Sequence, residues 1–455
     1  MENRLALYTS ILPNERQLIV QDMKFYAFVH YTVNTFTGRE WGDGKEPPAI
    51  FNPRCQDTDQ WCQAIAAAGM KGVIITAKHH DGFCLWQTET TEHSIKNSPY
   101  KNGKGDVLAE LSGSCKKYGL KMGVYLSPWD RNSGHYGTEK YNDFYIEQLT
   151  ELLDGRYGEI FMLWLDGACA AHKDGKPVQD YDFQRIWSTA LKLQPKICIS
   201  GQGPDVRWVG NERGKCRESE WNVVPNYKMG QIGAQDDEDY KKFQKHAEKG
   251  MVQDMGSREF LKDFDKFMWY PAEVDVSIRR GWFHHGKWDF TTKSLRKLMK
   301  IYYDSTGGNA LLLLNIPPTK DGIFAKRDVK RLREMGRRLK REQSLKIAEF
   351  ADPGFVEDNE VYRYEFSFAR RKIDRLRMEE DTTKSQRVER FEVYAQKKNG
   401  RKLVYSGTVI GFGKMATFKP VVTDELIVEV TQCRFEPYLK TAEVFAVGGI
   451  SGGMG

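Results

Sequence analysis

Through residues 1–343, short apolar runs alternate with amphipathic stretches. The runs span residues 23–31, 72–78, 121–128, 160–167, 197–201 and 310–317, each bounded by Gly, Pro or polar residues. Apolar on both faces, they read as strands buried in a parallel sheet. Helical stretches lie between them. Asp57 and Thr58 are N-cap types ahead of Trp61, Ile65 and Ala68, and Gly69 stops that helix. Residues 106–118, 138–153 and 181–193 follow the same logic. A strand plus a helix recurs roughly every 40 residues, which predicts serial βα units and a parallel sheet, open or closed into a barrel.

After about residue 345 the period changes to two. Short alternating runs occur at 361–368, 388–396, 403–409, 415–420, 425–430 and 442–447, with turn residues such as Lys398-Asn399-Gly400 between them. That pattern predicts an antiparallel β-sandwich. The division is therefore a barrel over 1–343 and a sandwich over 344–455, linked by a helix near 321–342. Residues 210–256 lack periodicity and are rich in Gly, Asn, Asp and Gln. They read as long loops over the barrel mouth, with a short helix near 239–248.

Two observations favour a closed (β/α)8 barrel over an open sheet. No GxGxxG or GxxxxGK[ST] follows a strand, so the usual open-sheet nucleotide sites are missing. Polar and aromatic residues instead gather where the strands end: His30, then His79-His80-Asp81, then Trp129-Asp130, then Asp166-Gly167. Convergence at the C-terminal ends of strands is how such a barrel builds a site.

Length and charge change this picture little. A chain of 455 residues exceeds one ordinary core, consistent with two domains. The net charge of +7 is small for the length, and much of it sits at 326–341 and 370–377. In the first of these, Val329, Leu332, Met335 and Leu339 recur at near-helical spacing, which predicts one buried stripe and a basic outer face. A nucleic-acid patch is the alternative; the interspersed Asp328 and Glu334 and the lack of a nucleic-acid motif weigh against it. The eight cysteines form no CxxC pair and no zinc-ligand cluster with His, so they read as scattered buried thiols. No stretch is apolar enough to span a membrane, and no secretory signal is visible at the N-terminus. The expected compartment is periplasmic or extracellular if a signal was removed, and cytoplasmic otherwise.

The strongest chemical signal is Leu163-Trp164-Leu165-Asp166-Gly167-Ala168. A carboxylate at the end of an apolar strand costs free energy unless its charge is paired or used. Trp164, two residues earlier, points to the same side, and an aromatic beside a carboxylate suits a sugar ring. The second cluster runs from Ala77 to Trp86 and holds His79 and His80. With His30 they are either hydrogen-bonding groups for substrate hydroxyls or a metal site. Neighbouring strand residues face opposite sides, which argues against both reaching one ion without a bend. The third region, Gly203-Pro204-Asp205-Val206-Arg207-Trp208-Val209-Gly210-Asn211-Glu212, offers a second carboxylate, with Glu218 and Glu220 as competitors. Glycoside hydrolysis with retention needs two carboxyl groups about 5–5.5 Å apart, one nucleophile and one acid/base. Trp41 and Trp282 stand in further aromatic loops of the kind that line sugar clefts.

Taken together these motifs resemble glycoside hydrolase family 29, the α-L-fucosidases. The resemblance rests on Phe28-Val29-His30, on Ala77-Lys78-His79-His80-Asp81-Gly82-Phe83 with Trp86, and on Tyr125-Leu126-Ser127-Pro128-Trp129-Asp130. It continues through Trp164-Leu165-Asp166-Gly167-Ala168 and the segment from Gly307 to Pro318. It implies a (β/α)8-like barrel followed by a β-sandwich, with Asp166 as nucleophile and His30, His79 and His80 on the fucose hydroxyls. Trp41 and Trp282 would be aromatic walls. The segment ending in Glu212 resembles the branch acting on α-1,3- and α-1,4-linked fucose and implies Glu212 as acid/base. The following residues, 213–221, depart from that pattern and leave Glu218 open. The resemblance implies no metal or organic cofactor, and a fucosylated oligosaccharide as partner rather than a nucleic acid or a membrane. A barrel glycosidase for another sugar and a non-catalytic carbohydrate-binding protein are the alternatives.

Overall fold

The computed structural model describes residues 2–172, 177–226, 238–247, 252–358 and 361–448. The apolar runs form β1 (Phe25–Val29), β2 (Gly72–Lys78), β3 (Lys121–Leu126), β4 (Ile160–Leu165) and β5 (Cys198–Gly201). A two-residue strand follows, β6 (Arg207–Trp208). After an antiparallel ribbon of β7 (Val223–Pro225) and β8 (Phe267–Trp269) come β9 (Ala272–Ser277) and β10 (Ala310–Asn315).

Eight of these strands make one parallel sheet in the order β5-β4-β3-β2-β1-β10-β9-β6. Its two ends meet through a parallel bridge between Ser200 and Val206, which closes the barrel. Side chains alternate across each strand. Val73 and Ile75, Leu163 and Leu165, and Leu312 and Leu314 belong to the core shared with the surrounding helices. Tyr26, Phe28, Ile74, Tyr125, Trp164, Leu311 and Leu313 form the separate cluster inside the barrel. A filled interior of this kind is a packed core rather than a pore.

The helices form where the caps predict. Asp57 accepts a bond from the Gln60 amide at the start of Thr58–Ala67, and Asp106 accepts one from Ala109 at the start of Val107–Tyr118. Lys140–Leu153, Phe183–Leu193, Leu295–Thr306 and Lys326–Gln343 complete the outer layer among the described residues. The last of these buries Val329, Leu332 and Met335, with Leu339 partly buried, and turns its basic residues outward.

Two barrel strands have no counterpart among the apolar runs. β6 is too short for a period to show. β9 reads Ala-Glu-Val-Asp-Val-Ser, and its two carboxyl groups, Glu273 and Asp275, are both buried. In the aperiodic stretch 210–256 the predicted short helix is Glu238–Ala247. Residues 227–237 and 248–251 of that stretch, including Glu248, lie outside the described residues.

The C-terminal part is a seven-stranded antiparallel sheet folded on itself. Its strands are β11 (Lys346–Ala351), β12 (Val356–Asp358), β13 (Val361–Glu380), β14 (Val388–Lys397), β15 (Gly400–Gly407), β16 (Lys414–Cys433) and β17 (Leu439–Ala446). β13 and β16 are each 20 residues long and pair along most of their length. Register shifts between Ser367 and Arg371 and between Ile373 and Arg375 bend the pair, so each strand passes through both layers. β14 then extends one layer and β17 the other. Tyr364, Phe391, Val393 and Val428 pack against Leu376, Met378, Ala416 and Val444 in the core between them. Two of the short runs predicted from alternation, 415–420 and 425–430, are thus one bent strand. The basic stretch 370–377 continues β13, with Arg375 buried beside Asp374 and Glu342.

Candidate active site

A cavity of about 380 Å³ opens at the C-terminal ends of the barrel strands. Successive strands each deliver a side chain to it. Phe28 comes from β1 and His30 from just past its end, His79 and His80 from just past β2, Tyr125 from β3, Trp164 from β4 and Asp166 from just past it. Gln202 follows β5, Trp208 and Glu212 come from β6 and its loop, Asp275 from β9, and Trp282 follows β9. Trp41 reaches in from the loop after β1. The residues singled out in the sequence (Asp166, Glu212, His30, Trp41, His79, His80, Trp164 and Trp282) therefore share one cavity.

Asp166 stands just past the last residue of β4, where the chain leaves the sheet. Its Oδ2 accepts a bond from the Tyr125 hydroxyl at 3.0 Å, and its Oδ1 accepts one from the Ala168 amide at 2.8 Å. Two donors thus fix the carboxylate's orientation. Gly167 and Gly201 make room for the turn. An added methyl on Gly167 would run into the Gln202 amide, and Gly201 has φ +73° and lies against the Leu165 carbonyl.

His79 and His80 both face the cavity, although strand alternation alone would send them apart. The reason is that β2 ends at Lys78 and its pairing with β3 shifts register between Thr76 and Lys78. The backbone turns there, and Gly82 donates its amide to the His79 carbonyl at 2.9 Å. Behind this turn the buried Lys78 ammonium meets Asp130 at 3.0 Å and Gln148 at 2.8 Å. Asp81 is also structural, accepting bonds from Thr32 Oγ1 and the Phe83 amide at 2.7 Å each.

The three histidines are held neutral. Burial, opposed by the Asn315 bond and helped by His80, pushes His30 down to about 3. Burial also pulls His79 well below its ordinary value, with His80 and His30 adding repulsion. Burial lowers His80 too, although Asp166 works the other way. Asn315 donates its amide to Ser277 Oγ and to the Trp282 carbonyl, so its Oδ1 must accept the 2.9 Å bond from His30 Nδ1–H. That leaves His30 Nε2 as an acceptor. By the same reasoning Ser127 donates to the Trp129 carbonyl and accepts from His80 Nδ1–H at 2.7 Å. His80 Nε2 then lies 3.8 Å from Asp166 Oδ2. His79 Nδ1 is buried with no hydrogen-bond partner among the described residues.

Glu212 lies at the open rim, where its Oε2 accepts a 3.3 Å bond from Trp282 Nε1. Partial burial lifts its carboxyl above the ordinary value; the Trp282 bond opposes the shift, and the charges of Asp166 and Glu40 add to it. The competing carboxylates stand elsewhere. Glu220 is buried in ion pairs with Arg207 and Arg217. Glu218 is outside the cavity lining, and its charge acts on Tyr405 and Lys414 of the sandwich.

Sequence reasoning did not single out Tyr125, Gln202, Glu273 or Asp275. The last two had a signal: Ala-Glu-Val-Asp-Val-Ser alternates, with its carboxyl groups on the face opposite the valines. Glu273 accepts bonds inside the barrel from Trp164 Nε1 at 2.6 Å, Ser200 Oγ at 3.0 Å and the Tyr26 hydroxyl. Asp275 accepts one from Trp208 Nε1 at 2.9 Å. No group of three or more His, Cys, Asp or Glu side chains among the described residues is arranged to hold a metal ion.

Residues 20–344 match the family model described as alpha-L-fucosidase. The chain is 44% identical over 325 residues to alpha-L-fucosidase 1 of Arabidopsis thaliana, covering 71% of this chain and 59% of that relative. It thus spans about six tenths of the length of the curated relative it matches. A Bacteroides ovatus crystal structure, provisionally described as an alpha-L-fucosidase, superposes with TM-score 0.91 at 41% identity, over 100% of this chain and 77% of that one. A Ruminococcus gnavus GH29 fucosidase in complex with fucose superposes with TM-score 0.82 at 27% identity, over 96% of this chain and 95% of that one. No helix among the described residues is long and apolar enough to cross a membrane.

Proposed function

The chain belongs to the alpha-L-fucosidase family, and from that membership we propose that it is a retaining exo-α-L-fucosidase. Its substrate would be a glycan bearing terminal α-1,3- or α-1,4-linked fucose. The observation that carries the reading is the pair of carboxyl groups in one sugar-sized cavity. Asp166 is held by two donors, and Glu212 is lifted above its ordinary value at the rim.

In this mechanism the Asp166 carboxylate attacks C1 of the fucosyl unit. Glu212 enters protonated and gives its proton to the leaving glycosidic oxygen, so the C1–O bond breaks as the aspartyl ester forms. Water then attacks C1 of that ester, with Glu212 now taking its proton, and the Asp166 carboxylate leaves. Two displacements at one carbon return the starting configuration. A raised Glu212 keeps a proton available to give, as the first step requires. Neutral His30, His79 and His80 suit the sugar's hydroxyl groups, because His30 and His80 keep Nε2 free to accept from a hydroxyl and a neutral His79 can both donate and accept. Trp41, Trp164 and Trp282 supply faces for its C–H edges and methyl group. Residues 1–343 would be the catalytic domain, with 344–455 a sandwich bracing it.

The linkage preference rests on the segment from Gly203 to Glu212. It is tested by the rate of fucose release from a 3-fucosylated branched glycan and from a 2-fucosylated linear one. Faster release from the branched glycan supports the reading; preference for the linear one removes it. The nucleophile is tested by Asp166→Ala, which should fold normally and lose turnover of an aryl α-L-fucoside by roughly 10⁴-fold or more. Near-normal turnover would reject Asp166.

A further inference from the structure

Each of three tryptophans around the cavity donates its indole N–H to a carboxyl group. Trp164 bonds Glu273 at 2.6 Å, Trp282 bonds Glu212 at 3.3 Å, and Trp208 bonds Asp275 at 2.9 Å. The proposed reaction accounts for the first two, through the wall of the fucose pocket and the proton donor. It leaves Asp275 and Trp208 unused.

Their situation is unusual. Asp275 is 4% exposed, and no ion pair to it is found among the described residues. A carboxyl group buried without a cation is costly, and this one keeps its place on the cavity wall with the indole as its bond donor. Trp208, in contrast, is 42% exposed, a large apolar ring turned half into solvent. An indole at a rim would normally change rotamer freely; the bond to a rigid strand removes that freedom. Trp208 also precedes Glu212 by four residues on the same segment. Glu212 must approach the glycosidic oxygen to protonate it, so its neighbours on that segment lie on the side from which the leaving sugar departs.

We propose that Asp275 is a positioning residue which fixes the Trp208 indole as a stacking platform for the sugar next to fucose. The pair would then set selectivity for the leaving group. The inference rests on the fucosidase reading and deepens it, by giving the leaving-group sugar its own built contact beside the reacting carbon.

The test compares two substrates: a 3-fucosylated oligosaccharide, which reaches Trp208, and α-L-fucosyl fluoride, whose leaving group is a single atom. The quantity read is the ratio of their kcat/KM values. Asp275→Leu removes the acceptor at similar volume and should lower that ratio about tenfold, with the effect in KM for the glycan, as expected for loss of a strong hydrogen bond. Asp275→Asn keeps an oxygen for the indole N–H and should restore most of the ratio. Trp208→Phe removes the donor and should match Asp275→Leu, and it carries the test if the leucine variant does not fold. Equal loss on both substrates in these variants would overturn the assignment. A wild-type protein inactive on both substrates would instead overturn the fucosidase reading beneath it.

Discussion

Single residues decide the chemistry through what surrounds them. Glu212 is one of three carboxylates within nine residues, and only its surroundings separate it from the others. Glu220 is neutralised by two arginines, whereas Glu212 stands at the cavity rim with its carboxyl lifted by burial and by nearby negative charge. A proton donor with a raised pKa has a definite pH signature. The group works as an acid only while protonated, so kcat/KM should fall as pH rises through its elevated value. In Glu212→Ala that alkaline limb should vanish, with turnover of unactivated glycans down roughly 10²–10⁴-fold. Azide should restore turnover of an aryl fucoside in this variant and yield an α-fucosyl azide, because azide enters from the face the missing carboxyl occupied. Rescue seen only with Glu218→Ala would move the role. This residue was readable in the sequence as a candidate, since a Glu after a strand is a local fact. Its advantage over Glu218 rested there on the family resemblance alone; the desolvation and facing charges around it come from segments remote in the chain.

At the scale of elements, the site depends on how strands end. Asp166 leaves β4 at the place where Gly201, with φ +73°, packs on the Leu165 carbonyl. Gly201→Ala forces a side chain into a left-handed backbone and a filled space. It should cost about 2 kcal/mol or more and should lower both the thermal midpoint and turnover, measured by calorimetry and an aryl-fucoside assay. A variant as stable and active as the parent would show that the strand end tolerates movement. β2 shows the complementary case. Its apolar run was legible, and so was the His pair beyond it, yet alternation alone sent the two rings to opposite sides. The turn after Lys78, anchored by the buried Lys78–Asp130 contact, brings both to the cavity. β9 was hidden for a related reason. A hydrophobic-run criterion misses a strand whose inward face carries Glu273 and Asp275, although those carboxyl groups are satisfied by indole and hydroxyl donors from other strands.

Across the whole molecule, buried carboxyl groups tie stability to pH. Asp81 in the barrel and Glu380 in the sandwich are each pushed up to about 7, chiefly by burial, with backbone amides pulling the other way. Their folded values lie above the unfolded ones. Each therefore gives a proton-linked stabilisation that is complete below about pH 4 and lost as pH rises through about 7. Glu380 accepts from the amides of Arg387, Val388 and Gly411. A glutamine there cannot ionise, so the melting temperature of Glu380→Gln relative to the parent should improve by roughly 5 °C between pH 5 and pH 8. A pH-independent difference would mean that folding does not raise the pKa of this group.

The order of strands and helices, the change of period near residue 345, the strand-end polar residues and the fold class were all written in the sequence. Each is set by near neighbours, through the burial of one face of one element and the cap or turn beside it. What the tertiary structure alone decided is non-local: the Ser200–Val206 bridge that closes the barrel, the bending of β13 and β16 into two layers, the inward carboxyl groups of β9 and the surroundings of each loop acid. A carboxyl group's free energy depends on the donors and charges within a few ångströms. Once the barrel closes, those neighbours come from residues far apart in the chain, as Tyr26 and Glu273 are at a separation of 247 positions.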